Sequence, residues 1–154
     1  MRRNPAISAI LIGGSIAGAC DITYAIVFSG FRGVPALRVL QSVASGLLGT
    51  AAFNGGLPTA ALGLVLHFFI AFSAAAVFYM ASRWFHFLTR QAVISGVLYG
   101  LLIYAVMNLV VLPLSAFPRK VTFPPLVLAT GLLVHMFLIG LPISLVARRV
   151  LSKT

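Results

Sequence analysis

Acidic residues are almost missing from this sequence. Asp21 is the only Asp or Glu in 154 residues, against 11 Lys and Arg, and charged residues make up only 8% of the chain. A soluble domain usually carries about 25% charged residues, because its surface must face water. With 61% hydrophobic residues and a mean hydropathy of +1.12, most of this surface must face lipid. A single carboxylate also excludes mechanisms that need two paired carboxylates.

Several other features of known functional classes are missing. Cys20 is the only cysteine, which excludes intramolecular disulfides and cysteine metal clusters. The chain has no Gly-x-Ser-x-Gly, no His-Glu-x-x-His and no phosphate-binding glycine loop, so hydrolytic chemistry is not predicted and we expect a non-enzymatic protein. The basic residues stand singly or in pairs at the ends of apolar runs, without a basic stripe, so we predict no nucleic-acid partner.

Four apolar runs are long enough to cross a bilayer as helices, which takes about 20 residues each. They predict transmembrane helices over about 7–28, 59–81, 92–112 and 126–146. The runs are continuous rather than alternating, which is typical of helices and not of a membrane barrel. We therefore predict an all-α polytopic membrane protein that forms one domain over residues 1–154.

An additional amphipathic helix is predicted over about 36–49, between the first two spans. At about 100° per residue its polar side chains fall in one sector, opposite its apolar ones. The helix is too short and too polar to span, so it is either interfacial or re-entrant, and both readings stay open. The polar sector comprises Arg38, Gln41, Ser42, Ser45 and Gly49.

The basic residues also predict an orientation. With both termini on one side, that side carries seven Lys and Arg and the other carries four. The positive-inside rule then places both termini in the cytoplasm. The seven are Arg2, Arg3, Arg83, Arg90, Arg148, Arg149 and Lys153, and the four are Arg32, Arg38, Arg119 and Lys120.

Glycines at four-residue spacing indicate close helix packing, because small residues let membrane helices approach each other. The pattern Gly-x-x-x-His occurs in two spans, at 63–67 and 131–135, and suggests an internal repeat. These faces could serve the bundle or a homo-oligomer, and both readings stay open. The predicted packing residues are Gly14, Gly18, Gly63, Gly96, Gly100 and Gly131.

Each predicted span carries one strongly polar side chain at a similar depth, roughly 9–14 Å from the outer helix end at a rise of 1.5 Å per residue. These side chains are Asp21, His67, Asn108 and His135, with Tyr104 near the same level. Since an isolated charge is costly in lipid, we predict that they converge in one polar layer. There the carboxylate and an imidazole could share a proton, with Asn108 bridging them.

Three functions are compatible with such a layer. The first is binding or conducting a proton or small cation. The second is a structural or accessory subunit in which the layer only holds helices together. The remote third is a redox protein with a divalent metal at Asp21, His67 and His135, or a b-type haem between the two histidines. No cofactor is predicted, and the lipid bilayer is the expected partner.

Three stretches resemble parts of small four-helix inner-membrane proteins of bacteria: Leu40–Gly49, Ala52–Gly56 and Leu62–Phe68. More distantly, the chain is similar to the YagU-like inner-membrane family in its order of a Gly- and Ala-rich first helix, His-bearing helices and basic ends. This resemblance covers most of the chain. It implies location in a bacterial inner membrane and a four-helix architecture, and it implies no activity and no residue role.

Overall fold

A computed structural model describes residues 4–152, and these residues form helices joined by short connections, without a β-strand among them. The prediction of an all-α protein is confirmed. Arg2, Arg3 and Lys153, which contribute to the predicted orientation, lie outside the described residues.

The helices are numbered here in chain order. They are α1 (Pro5–Gly30), α2 (Ala36–Leu48), α3 (Gly56–Trp84), α4 (Phe87–Arg90), α5 (Ala92–Leu114) and α6 (Pro125–Leu151). A 3₁₀ helix, Gly49–Asn54, continues α2. Each predicted span lies within one longer helix: α1, α3, α5 or α6.

Five segments of the described residues, 4–152, are long and apolar enough to cross a membrane. Four of them are α1, α3, α5 and α6, and the fifth is Ala36–Asn54, which joins α2 to the 3₁₀ helix and was predicted to be too short and too polar. The 3₁₀ continuation supplies the additional length. Several apolar helices of this kind indicate a membrane-embedded protein.

Prolines and polar caps explain the helix boundaries. The Asn4 side chain accepts a hydrogen bond of 3.0 Å from the Ala6 N–H, and Pro5 occupies the first turn of α1, where its missing N–H costs nothing. The helix ends at Gly30. The turn that follows contains Gly33 at φ 77°, a backbone conformation that favours glycine.

Helices α5 and α6 each contain a π-helical segment, Met107–Val111 and His135–Gly140. A proline follows each segment closely, at Pro113 and Pro142. Proline lacks an N–H and its ring collides with the carbonyl four residues earlier, and a wider turn relieves this collision. The third span was predicted over about 92–112, and the helix widens at its π-helical segment and continues to Leu114.

Helices α1 and α3 pack in opposite directions. A Cβ on Gly18 would lie 2.8 Å from the Phe68 ring, and Gly14 abuts Phe72, one turn further along α3. Residue numbers thus rise along one helix as they fall along the other. Helices α5 and α6 are antiparallel as well, since Gly96 packs on Gly140 and Gly100 packs on His135.

Helix α1 also runs antiparallel to α6, with Gly13 packed on Ile143 and Tyr24 hydrogen-bonded to Thr130. The start of α1 and the end of α6 therefore share one end of the bundle, which we call the terminal end. The opposite end is the α2 end. The core lies toward the terminal end and consists of Ala17, Ala75, Phe78, Ile139, Ile143 and Ala147.

The bond from the Tyr24 hydroxyl to Thr130 Oγ1, at 2.6 Å, makes a direct prediction. In a double-mutant cycle of Tyr24→Phe and Thr130→Val, we expect a coupling free energy of about 0.6 kcal/mol, the mean for such bonds in membranes. Unfolding in detergent titrated with SDS measures it. Tyr79→Phe is the control, since no hydrogen bond engages that hydroxyl within residues 4–152. A coupling indistinguishable from zero would contradict the prediction.

Helix α2 turns its polar sector toward the protein. Gln41 is 1% exposed and Ser45 is fully buried, whereas Leu47 is 62% exposed. The Gln41 amide donates to the Gly56 carbonyl at 3.1 Å and to Thr59 Oγ1 at 3.3 Å, which ties α2 to the start of α3. An interfacial helix would direct its polar side chains to water instead.

Candidate functional site

A cavity of about 540 Å³ separates α3 from α5 in the half of the bundle near the α2 end. Toward the terminal end the two helices are joined: the Tyr99 hydroxyl donates to the Ala74 carbonyl at 2.7 Å, and the Tyr99 and Phe78 ring centroids are 5.0 Å apart. Four α2 residues line the opposite side of the cavity: Ser42, Val43, Gly46 and Leu47.

The four polar residues predicted to converge all line this cavity. Asp21 comes from α1, His67 from α3, Asn108 from α5 and His135 from α6. Most of the remaining lining is apolar, which is the usual composition of a binding pocket with a few polar groups. Tyr104 does not line the cavity, and its ring packs against the ring of His135.

His67 forms a bond between two helices. Its Nε2 lies 2.9 Å from the Gly18 carbonyl oxygen of α1. Because a carbonyl can only accept, Nε2 carries the proton, and Nδ1 of a neutral ring keeps its lone pair. Gly18 thus contributes its carbonyl as well as space for Phe68.

His135 is oriented by its own helix and by an aromatic ring. Its Nδ1 donates to the Gly131 carbonyl at 2.9 Å. Its ring lies nearly perpendicular to the Tyr104 ring, with the two centroids 5.1 Å apart. Gly131 makes room for this arrangement, since a Cβ there would lie 2.8 Å from the Tyr104 ring. In a neutral His135 ring, Nε2 remains as the acceptor.

Asp21 is half-buried and lies close enough to His135 for the two groups to interact electrostatically. No hydrogen bond engages its carboxylate within residues 4–152. Of the four polar side chains, it is therefore the one least committed to holding the fold. A carboxylate beside an imidazole is a pair that can exchange a proton.

Asn108 does not form the predicted bridge between the carboxylate and an imidazole. Its Nδ2 donates instead to the Tyr104 carbonyl, one turn earlier in α5, at 2.9 Å. Asn108 lies in the π-helical segment, where backbone carbonyls are displaced from the N–H groups four residues later. The side-chain amide of Asn108 supplies a donor in place of such an N–H group.

The predicted packing glycines all contact other helices of the same chain. Their partners are Phe72 for Gly14, Phe68 for Gly18, Leu40 for Gly63, Gly140 for Gly96, His135 for Gly100 and Tyr104 for Gly131. Gly140, which abuts the backbone of Gly96 and Gly100, was not predicted. These faces are used within the bundle rather than left on its surface.

Among residues 4–152, no three His, Cys, Asp or Glu side chains form a group that could hold a metal ion. The alternative of a metal at Asp21, His67 and His135 stays a prediction, and the metal content of the purified protein tests it. A haem between the two histidines stays a prediction, and purified protein without a Soret band would exclude it.

Sequence reasoning missed other lining residues. On α5, Ile103, Met107 and Val111 face the cavity at a spacing of four residues, a signal that periodicity could have identified. Ser115 and Phe117, which follow α5, also line it. Nothing local in the sequence indicates that this loop returns toward α2.

No protein-family model, curated protein or solved structure matches the chain. The resemblance to YagU-like proteins therefore stays an expectation. The function has to be inferred from the cavity and its residues.

Proposed function

We propose that the chain is an inner-membrane protein with four spans that binds and releases a proton at Asp21 and His135. The observation that carries the proposal is that one polar side chain from each of α1, α3, α5 and α6 lines a single cavity. Ionisable side chains inside the bilayer cost free energy, so each one is by default a candidate functional residue. Of the two histidines, His135 is the one that interacts electrostatically with Asp21, so we take Asp21 and His135 as the exchanging pair.

The packing directions support four spans. Because α1 and α3 are antiparallel neighbours, the chain leaves α1 and enters α3 at the same end of the bundle. Ala36–Asn54 then begins and ends at that end, so it adds no net crossing. Its exposed leucines and buried Gln41 favour a re-entrant segment over an interfacial one.

The orientation follows from the same arrangement. The terminal end carries Arg83, Arg90, Arg148 and Arg149, which favours the cytoplasmic side for this end under the positive-inside rule. The cavity then lies in the outer half of the bilayer. A bacterial inner membrane is the location that the family resemblance implies.

A proton fits the cavity better than a metal cation. Phe117 lines the cavity, and the Arg119 guanidinium lies over its ring at 5.8 Å. Arg38 and Arg119 both lie over the nearby Phe53 ring. Fixed positive charges at this end repel a divalent cation more strongly than a singly charged one, and a proton needs no shell of coordinating ligands.

Binding is better supported than conduction. Toward the terminal end the cavity stops at the apolar core, of which Ala17 and Ile139 form the cavity floor. The Tyr99 hydroxyl is bonded to the Ala74 carbonyl at the same level. We therefore propose access from one side only.

Infrared difference spectroscopy tests this proposal directly. Because Asp21 is the only acidic side chain, a band of a protonated side-chain carboxyl can come from no other residue. We expect the band to appear reversibly on acidification of the folded protein and to be missing from Asp21→Asn. His135→Gln should shift the frequency of the band, because it removes the imidazole that interacts with the carboxyl group.

Cys20→Ser is the matched control, as a small polar change next to Asp21 that should keep the band. Absence of the band wherever the wild-type protein stays folded would refute proton binding. A band whose frequency is unchanged in His135→Gln would refute the pairing.

The structural alternative also has a specific observation in its favour. Both histidines and Asn108 donate to backbone carbonyls, as residues that only stabilise helices would. If this were their whole role, Asp21→Asn would leave every proton-linked signal unchanged. His67→Leu would still lower the free energy of unfolding, by about 0.6 kcal/mol or more.

A further inference from the structure

A second cavity, of about 670 Å³, lies at the terminal end of the bundle. It shares no lining residue with the cavity that contains Asp21. We call it the basic cleft. Its lining comes from the end of α3, from α4 and from the end of α6. The lining residues are Ser82, Arg83, His86, Thr89, Arg90, Arg148, Leu151 and Ser152.

The basic cleft brings together three arginines without an acidic side chain. Arg83, Arg90 and Arg148 belong to three different helices, and the only Asp or Glu of the chain lines the other cavity. Like charges brought together in this way repel one another unless an anion lies between them. The guanidinium group is suited to such an anion, since it binds phosphate through two parallel hydrogen bonds.

The arginines at the two ends of the bundle differ in their contacts. At the α2 end, Arg32 lies over the Phe28 ring, and Arg38 and Arg119 lie over the Phe53 ring. Within residues 4–152, no hydrogen bond, ion pair or ring contact engages the guanidinium groups of the basic cleft. Their donors are therefore available to a ligand.

The hydroxyl side chains of the basic cleft do not supply donors to that ligand. The hydroxyls of Ser82, Thr89 and Ser152 donate to backbone carbonyls at 2.8, 3.1 and 3.1 Å. Their protons are thus committed to the fold. The anion must be bound chiefly by the arginines, together with His86 when its ring is protonated.

Exposed aromatic residues place the basic cleft at the level of lipid headgroups. Trp84, Phe85 and Phe87 lie where α3 is joined to α4, and their side chains are 83%, 58% and 58% exposed. Such rings are enriched where headgroups meet acyl chains. A phospholipid could therefore place its phosphate among the arginines and its chains along these rings, whereas a soluble phosphate would use only the arginines.

We propose that the basic cleft binds the phosphate group of an anionic phospholipid. Basic pockets between helices on the cytoplasmic side are a known way of holding such headgroups. This inference does not depend on proton binding at Asp21, because no residue is shared between the two cavities.

The test compares two double variants that lose the same charge. Arg90→Gln with Arg148→Gln removes two cleft arginines, and Arg32→Gln with Lys120→Gln removes two basic residues at the other end. Thermal unfolding in a neutral detergent is recorded with phosphatidylglycerol, with phosphatidylcholine, and with inorganic phosphate or glycerol phosphate. Native mass spectrometry counts the lipids retained.

Phosphatidylglycerol should raise the midpoint of wild-type unfolding, and phosphatidylcholine should not. We expect the cleft variant to bind phosphatidylglycerol roughly tenfold more weakly or worse, through loss of charge-assisted hydrogen bonds. The charge-matched variant should bind it as the wild type does. Arg90→Lys with Arg148→Lys should recover only part of the binding, since lysine keeps the charge without the bidentate geometry.

Three results would overturn the proposal. Equal loss in both glutamine variants would mean that only the total charge matters. A wild-type midpoint that does not respond to phosphatidylglycerol would exclude the site. An equal response to glycerol phosphate at the same concentration would assign the cleft to a soluble phosphate. If the cleft variant does not fold, the lysine variant and the wild-type comparison of lipids still decide the question.

Discussion

Gly100→Ala is expected to lower the free energy of unfolding by about 2 kcal/mol or more, within the range of overpacked cores. A Cβ at this position would collide with the His135 carbonyl oxygen and lie close to the Met136 Cα. Both groups belong to the α6 backbone, so no side chain can rotate away, and α5 and α6 must separate. The loss is large because membrane helices depend on close packing rather than on a hydrophobic drive.

Gly30→Ala is the matched control, because a Cβ at Gly30 meets nothing within 4 Å and Gly30 ends α1 as a helical residue. We expect its effect to stay within about 0.5 kcal/mol, as for other surface changes. SDS titration in mixed micelles, followed by circular dichroism, measures both. Equal stability of the two variants would show that α5 and α6 do not approach as closely as described.

Much of the fold can be read from the sequence because the bilayer imposes a simple rule. An apolar run must satisfy its backbone hydrogen bonds internally, so each long run becomes a helix. All four predicted spans lie within observed helices, and each helix is a few residues longer at one end or both. The added turns lie near the helix ends, where polar and aromatic residues weaken a hydropathy signal.

The placement of α2 could not be derived in the same way. An amphipathic pattern identifies the polar sector, but it does not say whether water or protein faces that sector. At the membrane surface the polar side faces water, whereas within the bilayer it must face protein, and the sequence pattern is the same in both cases. Here the Gln41 amide donates to the Gly56 carbonyl and to Thr59 Oγ1. These two partners can be identified only once the position of α3 is known.

The candidate site was partly predictable. Similar depth suggested that Asp21, His67, Asn108 and His135 meet, and all four line one cavity. Depth says nothing about hydrogen-bond partners, however. The Asn108 bond to Tyr104 depends on a π-helical segment, which apolar periodicity alone does not indicate.

Gly63→Ala is expected to displace α2 from α3 and so to open the side of the cavity that α2 lines. The three atoms nearest to a Cβ at Gly63 are the Leu40 carbonyl oxygen and carbon and the Ala44 nitrogen. All three are backbone atoms, so the α2 helix itself must move. Gly63 was predicted as a packing residue, and its partner is α2 rather than one of the four long helices.

Cysteine accessibility measures this displacement. In a Cys20→Ser background, Ser45→Cys introduces a near-isosteric thiol at a position that is fully buried in α2. We expect a maleimide to label this thiol about tenfold faster or more in Gly63→Ala, because tenfold corresponds to about 1.4 kcal/mol of weakened packing.

Gly46→Ala separates a local clash from a general effect of added volume in this region. Its Cβ would lie 3.7 Å from the Ser115 side chain, an ordinary contact, so labelling at position 45 should stay near the wild-type rate. If Gly63→Ala and Gly46→Ala gave equal rates, α2 would not be held against α3 by close backbone contact. In that case α2 would not form a fixed wall of the cavity.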